Sequence, residues 1–576
     1  MLFVTERIVL AGTLLVFWGD SRAGSHILKN TSLGERASLQ RLLPTLAPAF
    51  VLSILSAIYY ALYFKAGFNY ADEGNYAQFA FELSRGTSLN DLPVSYGLLW
   101  FKAGEVLFRI FEPNFDLVRL IFFACILATT LLVYAALLMT TGKRMFAALL
   151  ACVCALAPAF PATAFYGFCI LLNCVPQLVL AQRIETVRLR DAALAGAALA
   201  VSFQIRPDFG YIFAVPLAVL LLLAAWRGES GRERGLMRFA RLTSAALGAF
   251  VLLHIPGLIV AINDGYVGTL IGQYLSYPVM LADYGVRGVK ALFGSNLVHD
   301  SGAGVLLQRP RFFGAADSGE RLLALLVYLP LVIIIVFAVS AVLRFRRAET
   351  PYAEAAVSLV VLVSGAAALP HYFFYRPDLS HIANFMPGFT VLAGTFAWRA
   401  AVRPGNGARW IIIGTAAFTL ALYLWIGLTT PGTGSIAGMM DRTERFDAAN
   451  SVNVRLNPGE KALLEDLRAI IDANSAPGDA IVCVPYCPGI AFMTGRRLLF
   501  REQYVDDGVL LSDPAWLERA IALTRERKPP VVIVMDWAIN GTDISRFSRW
   551  ASPYMQLLES LAREKIDRPG LSIYLL

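Results

Sequence analysis

The chain has 576 residues, of which 57% are hydrophobic and only 16% charged, and its mean hydropathy is +0.59. So much apolar side chain with so little charge excludes an ordinary soluble domain and defines a polytopic membrane protein. The formal charge of +8 does not call for nucleic acid as a partner, because most Lys and Arg fall in short segments between apolar runs, where topology accounts for them.

In chain order, residues 1–42 hold an apolar run, Ile8 to Trp18, too short to span, followed by a polar and basic stretch. They are read as a cytoplasmic or interfacial segment, since Gly-Asp-Ser-Arg offers no small-residue cleavage site. Apolar runs near 43–64, 116–138, 145–160, 168–181, 192–205, 211–226, 243–262, 321–343, 356–375, 384–398 and 411–429 predict about eleven membrane helices within a domain covering 43–430. Several are shorter than the roughly 20 residues of a straight crossing, so two of them can be tilted or re-entrant.

Alternate loops are rich in arginine: Lys143-Arg144, then Arg183 to Arg190, Arg227 to Arg241, Arg344 to Arg347 and Arg399 to Arg409. By the positive-inside bias these face the cytoplasm. The other side then carries two long loops, 65–115 and 263–320, and everything after about 430. The first two hold amphipathic pieces, Leu98 to Phe111 and Val286 to Phe293, suited to lying at the interface. His299-Asp300 reads as a loop pair. After a Pro431-Gly432-Thr433-Gly434 linker, residues 431–576 alternate helix and strand: helices 459–473, 515–527 and 553–565, strands 480–484, 531–535 and 571–575. The expected fold class is therefore an α-helical polytopic membrane protein with a small C-terminal α/β domain.

Five cysteines lie in apolar spans as small hydrophobes. Cys483 and Cys487 lie in the C-terminal domain on the non-cytoplasmic side, which fits a local disulfide better than a metal site lacking nearby His.

Asp72 and Glu73 stand about eight residues beyond the first span, two carboxylates at a membrane edge. Such a carboxylate can be a base, a metal ligand or a helix N-cap with a favourable dipole. Neighbouring residues point different ways, so one should face a cavity while the other supports it. Two loops repeat one tripeptide, Arg206-Pro207-Asp208 and Arg376-Pro377-Asp378. An arginine there runs against the positive-inside bias and suits bidentate phosphate binding, while the bland reading is an Arg-Asp pair that closes a helix. His371 reads as an interfacial histidine beside aromatics, and His381, three residues past Asp378, as a candidate acid or base on the same face. Asp116 and Arg119 are expected to pair, and Asp91, Glu105 and Glu112 to be solvated.

The stretch Asp72-Glu73-Gly74-Asn75-Tyr76-Ala77-Gln78-Phe79-Ala80-Phe81-Glu82-Leu83, with Pro93 and Tyr96-Gly97 after it, resembles the first outer loop of GT-C class membrane glycosyltransferases, in particular the protein O-mannosyltransferase and lipid A aminoarabinose transferase branch. Asn75 stands where that branch usually has a basic residue, and Trp100-Phe101-Lys102 replaces a lysine-proline signature. The resemblance implies an inverting transfer of a sugar from a polyprenyl-phosphate donor to an acceptor hydroxyl outside the cytoplasm. Asp72 would be the base, Glu73 its supporting partner, Arg206 and Arg376 phosphate-binding residues, and Tyr76, Lys102, Asp208, Asp378 and His381 further site candidates. A divalent metal is compatible but not required, and the partners are the donor, membrane lipids and an acceptor the sequence does not identify. The competing class is a secondary transporter or lipid flippase using Asp72 as a proton or substrate site. Arginine outnumbers lysine 42 to 8, a usage that points to a high-GC bacterium and hence an inner membrane with the C-terminal domain in the periplasm.

Overall fold

The computed structural model describes residues 36–92, 97–157, 160–228, 232–292, 310–346, 351–375, 377–402, 407–430, 432, 434–506, 509–538 and 543–576. The expectations for residues 1–35, Pro93, Tyr96, His299-Asp300 and Arg376 lie outside the described residues.

The membrane part is a helical bundle: α1 (Arg36–Tyr63), α2 (Asp72–Ser84), α3 (Leu98–Phe111), α4 (Phe115–Thr141), α5 (Arg144–Leu156), α6 (Phe165–Gln182), α7 (Leu189–Ile205), α8 (Pro207–Gly228), α9 (Arg232–Asn263), α10 (Val267–Leu292), α11 (Ser318–Phe345), α12 (Tyr352–Ala366), α13 (Leu379–Val402) and α14 (Ala408–Thr429). Among the described residues, eight helical segments are long and apolar enough to cross a bilayer, not the eleven expected. The three runs that fall out have identifiable causes. At 13 residues α5 is about 20 Å long and at 17 residues α7 about 26 Å, short of a ~30 Å hydrocarbon core. In α13 the residues His381, Asn384, Pro387 and Arg399 dilute the apolar composition.

Burial sorts the helices. The segment Pro161–Gln182 is 83% buried and central, whereas Arg234–Asn263 is only 11% buried and peripheral. Along α1, Phe50, Ile54, Ile58 and Leu62 form an exposed stripe four residues apart, a face suited to lipid. Helix α7 crosses α9 at Gly196, where a Cβ would lie 2.0 Å from the Ala246 carbonyl oxygen, so the backbones meet as small residues allow in membrane bundles.

The basic loops gather at one end of the bundle: Arg183 pairs with Asp191, Arg344 with Glu354, Arg227 covers the Tyr352 ring and Lys143 the Trp398 ring. The other end carries α2, α3 and the small C-terminal sheet region. There α3 buries Leu98, Trp100, Phe101, Gly104, Glu105 and Phe108 and exposes Val106, Ile110 and Phe111, the amphipathic division its sequence demanded. Glu105, expected to be solvated, is buried between Lys102 (2.6 Å) and Arg109 (2.8 Å).

After a short helix at Ile436–Asp441, the C-terminal region has a hairpin the sequence did not reveal, β1 (Glu444–Ala448) and β2 (Val452–Leu456), turned by Asn450 and Ser451 with φ of 53° and 55°. Next come α15 (Pro458–Asn474), β3 (Ala480–Val484), α16 (Pro488–Thr494), β4 (Arg497–Leu498), α17 (Trp516–Arg527), β5 (Val531–Met535), α18 (Ser552–Leu561), β6 (Glu564–Arg568) and β7 (Leu571–Leu575). The sheet order is β4-β3-β5-β7-β6, with β3 parallel to β4 and β5, and β7 antiparallel to β5 and β6. Strand β5, Val-Val-Ile-Val-Met, is buried throughout, as a β-branched central strand should be. The last helix stops at Leu561 rather than 565, because Glu564 to Arg568 forms a charged edge strand with Ile566 as its one apolar residue.

Backbone pairs seat this region on the bundle. Arg455 N donates to Lys65 O (2.6 Å), Gly67 N to Arg455 O (2.8 Å), Phe115 N to Asn450 O (3.1 Å) and Gly489 N to Tyr70 O (2.8 Å). Gly489 meets Gly74 and Tyr70 so closely that a Cβ on it would lie 2.6 Å from the Tyr70 Cα. Buried Glu82 adds a polar clamp, accepting from Gln78, Thr87, Arg497 and the Leu498 amide. Gly489→Val is expected to cost about 1–3 kcal/mol by overpacking and to open the connection near residues 430–435 to protease. Scanning fluorimetry and limited proteolysis of the detergent-purified protein check this; an unchanged midpoint and digest would show that the close approach is dispensable.

Candidate functional site

At the seated end, Asp72 and Glu73 open α2 and diverge, as adjacent helical residues must. Asp72 is not the helix cap. Ala71 precedes the helix without a capping side chain, and Asn69 Oδ1 accepts from the Asp72 amide (2.9 Å) and the Ala71 amide (3.1 Å). The Asp72 carboxylate is half-buried and accepts from the Tyr486 hydroxyl at 2.9 Å and from Asn69 Nδ2 at 3.5 Å. Both contacts donate to the carboxylate and leave it lone pairs to spare, at the positive end of a helix. Tyr70, beside it in sequence, is mostly buried, which together with Glu460 pushes its hydroxyl above the usual tyrosine range and keeps it neutral.

Glu73 turns inward and is 2% exposed. Its Oε2 accepts from Arg119 Nη2 at 2.8 Å and its Oε1 from Arg119 Nε at 3.2 Å, a two-point carboxylate–guanidinium pair. Arg119 also donates to the carbonyls of Phe64 (2.5 Å) and Gly67 (2.7 Å), and its guanidinium lies 4.7 Å from the Phe115 ring centroid. The expected Asp116–Arg119 pair is not formed; Asp116, three residues before Arg119, pairs with Lys65 at 2.6 Å. A cavity of about 10 Å³ adjoins the ion pair, lined by Tyr60, Tyr63, Phe64, Ala66 and Pro161, and the buried Tyr63 hydroxyl has no partner among the described residues. That is room for roughly one water.

A second polar cluster lies where α7 meets α8. Arg206 is 4% and Asp208 0% exposed. Arg206 Nε donates to Asp208 Oδ1 (2.9 Å), Nη2 to Oδ2 (2.5 Å) and Nη1 to the Tyr166 hydroxyl (2.5 Å). His371, in a π-helical turn at Pro370–Tyr375, places Nε2 2.8 Å from Asp208 Oδ2; the tautomer protonated on Nε2 donates there. His371 is thus a buried member of this cluster, beside the Tyr166 and Phe209 rings. The Arg206 guanidinium lies 4.1 Å from the Tyr166 centroid. A phosphate arriving at Arg206 would compete with the Asp208 carboxylate for its fork.

Asp378 caps α13, accepting from Ser380 Oγ (2.5 Å), His381 N (3.1 Å) and His381 Nδ1 (2.8 Å), so Asp378 and His381 do share a face. Tyr76 joins an aromatic pack with Trp100, Phe122 and Phe165. Lys102 bridges Glu105 and Asp264. The structure thus joins Arg206 to Asp208 and His371, and Asp72 to Tyr486. These two groups are linked by packing: Tyr76 stands one helical turn from Asp72 and meets Phe165 at 5.9 Å, and Phe165 meets Tyr166 of the Arg206 cluster at 4.8 Å.

Sequence reasoning missed Arg119 as the partner of Glu73, the Asn69 contacts to the Ala71 and Asp72 amides, and Tyr486 altogether. An arginine in the first turn of an apolar span was signal enough that Arg119 needed a carboxylate; nothing local marked Tyr486. Cys483 and Cys487 form a disulfide, with Cα atoms 5.6 Å apart, across the loop that carries it. No group of three or more His, Cys, Asp or Glu side chains converges among the described residues. Comparison with known proteins yields no matching family model and no matching curated protein.

Replacing Arg119 by Met strands the buried Glu73 carboxylate, at an expected cost of about 3–5 kcal/mol. The double variant Glu73→Gln/Arg119→Met should recover much of that loss. Thermal midpoints of both, measured in the same detergent, decide it: equal midpoints would show that the two residues are not coupled.

Proposed function

We propose that this chain is a membrane glycosyltransferase of the GT-C kind, inverting, which moves a sugar from a polyprenyl-phosphate donor to an acceptor hydroxyl. The observation that carries this reading is the division of labour between the two first-loop carboxylates: Glu73 is neutralised by Arg119, while Asp72 is half-exposed and oriented by Tyr486 and Asn69. In the proposed step the acceptor oxygen attacks the anomeric carbon, its proton passes to Asp72, and the bond from that carbon to the phosphate oxygen breaks with its electron pair leaving on the lipid phosphate. Arginine charge would stabilise the departing phosphate; Arg206 can serve if the incoming phosphate displaces Asp208, and Arg376 stays in the proposal as its sequence counterpart. A divalent cation is compatible with this scheme and not required by it.

Orientation follows from the bundle's charge. We set the Arg-rich end in the cytoplasm of a bacterial inner membrane, with Asp72 and the disulfide-bearing C-terminal region in the periplasm, a reading the positive-inside bias supports. The second reading, a transporter or flippase, is favoured by the buried Arg206–Asp208–His371 cluster, since titratable groups at membrane depth often serve ion or proton pathways.

Purified protein in liposomes, given polyprenyl-phosphate sugars, is expected to transfer or hydrolyse the sugar, and Asp72→Asn to slow this by about 10²–10⁴-fold. Wild-type rates in Asp72→Asn would overturn the base assignment. Lipid or ion movement dependent on Asp208 and His371, with no sugar chemistry from any donor, would replace this reading with the transporter.

A further inference from the structure

The loop that brings Tyr486 to Asp72 also builds an aromatic corner around that carboxylate. Tyr486 and Tyr504 meet edge to face, with ring centroids 5.0 Å apart and planes at 86°. Tyr504 is 38% exposed although the residues on either side of it, Gln503 at 3% and Val505 at 1%, are buried. Its exposure is enforced by the backbone, because Val505 N donates to Pro485 O at 2.9 Å and fixes the 499–506 segment alongside the disulfide loop. The two hydroxyls are tied to carboxylates, Tyr486 to Asp72 and Tyr504 to Asp506, each at 2.9 Å. Gln503 adds unused hydrogen-bonding capacity: neither of its amide atoms has a partner among the described residues.

A large aromatic face left partly in solvent, flanked by two carboxylates, has the chemistry of a carbohydrate subsite. The axial C–H bonds of a pyranose present an apolar, weakly positive face that packs on the negative face of an aromatic ring, while its hydroxyls donate to carboxylates at the ring's edge. A serine or threonine acceptor has no such face, and a lipid tail has no use for the carboxylates.

We propose that Tyr486 and Tyr504 form the acceptor subsite of the reaction proposed above, and that the acceptor is a saccharide whose pyranose ring packs on Tyr504 with its attacking hydroxyl directed at Asp72. This rests on the glycosyltransferase reading and names its acceptor class. Tyr504 supplies the binding surface. Tyr486 acts through Asp72 and is a positioning residue: its donated hydrogen bond holds the carboxylate in the rotamer that accepts the proton.

The test uses the full-length protein in nanodiscs with a panel of methyl pyranosides and disaccharides, read by saturation-transfer NMR and calorimetry, with transfer assays alongside. The wild type is expected to bind at least one saccharide, Tyr504→Ala to weaken it by about tenfold or more, and Tyr504→Phe to retain it. Tyr486→Phe is expected to keep acceptor KM and lower kcat by about tenfold, a split that a merely structural role would not give. If the wild type transfers sugar to hydroxyl peptides yet binds no saccharide, or if Tyr504→Ala binds saccharide as the wild type does, the acceptor proposal is overturned while glycosyl transfer stands. Tyr504-dependent saccharide binding with no transfer from any polyprenyl-phosphate donor would uphold the subsite and overturn the glycosyltransferase reading.

Discussion

An arginine in the first turn of a membrane helix has to meet its counter-charge inside the protein, and in this chain Arg119 meets Glu73. The pair is almost fully buried, 3% and 2% exposed by side chain. Because the same guanidinium also takes the carbonyls of Phe64 and Gly67, it fixes the loop between α1 and α2 as well as the first turn of α2. Buried ion pairs often contribute little net stability, but they penalise every arrangement in which one partner is left alone. That selects one register for the loop, and Asn69, Tyr70 and Asp72 inherit their positions from it.

The C-terminal region reads this register. Gly489 fits over Tyr70 and Gly74 only because neither contact glycine carries a Cβ, and β2 pairs through Arg455 with the backbone of Lys65 and Gly67. Glu82, one helix length away on α2, is satisfied by groups from both parts, Gln78 and Thr87 on one side and Arg497 and the Leu498 amide on the other. The polar demands of α2 are thus met jointly, and only the seated form leaves the Glu82 carboxylate fully partnered.

Much of the fold was legible because it rests on periodicity. The long apolar helices, the amphipathic Leu98–Phe111 and the strands Ala480–Val484, Val531–Met535 and Leu571–Leu575 each follow from runs of residues that need one environment. What escaped was what depends on neighbours. The edge strand at Glu564 reads as solvated helix because only Ile566 is apolar, and its structure comes from pairing with β7. The hairpin before α15 has too few residues for its alternation to stand out. At the site, the divergence of Asp72 and Glu73 follows from helix geometry, but Arg119 lies 46 residues from Glu73 and Tyr486 lies 414 from Asp72, separations over which local pattern carries no information. Helices α5, α7 and α13 show the opposite limit: apolar composition marked them as spans, while short length in α5 and α7 and interior polar residues in α13 set them apart.

The separation between Asp72 and Tyr486 also sets an order of events during synthesis. Asp72 is made between α1 and α3, whereas the tyrosine that orients it follows α14 and β3, 414 residues later. Until residue 486 has been made, the Asp72 carboxylate lacks the Tyr486 hydroxyl. The Tyr486 contact on Asp72 is thus supplied by the seated C-terminal region and not by the carboxylate's own loop.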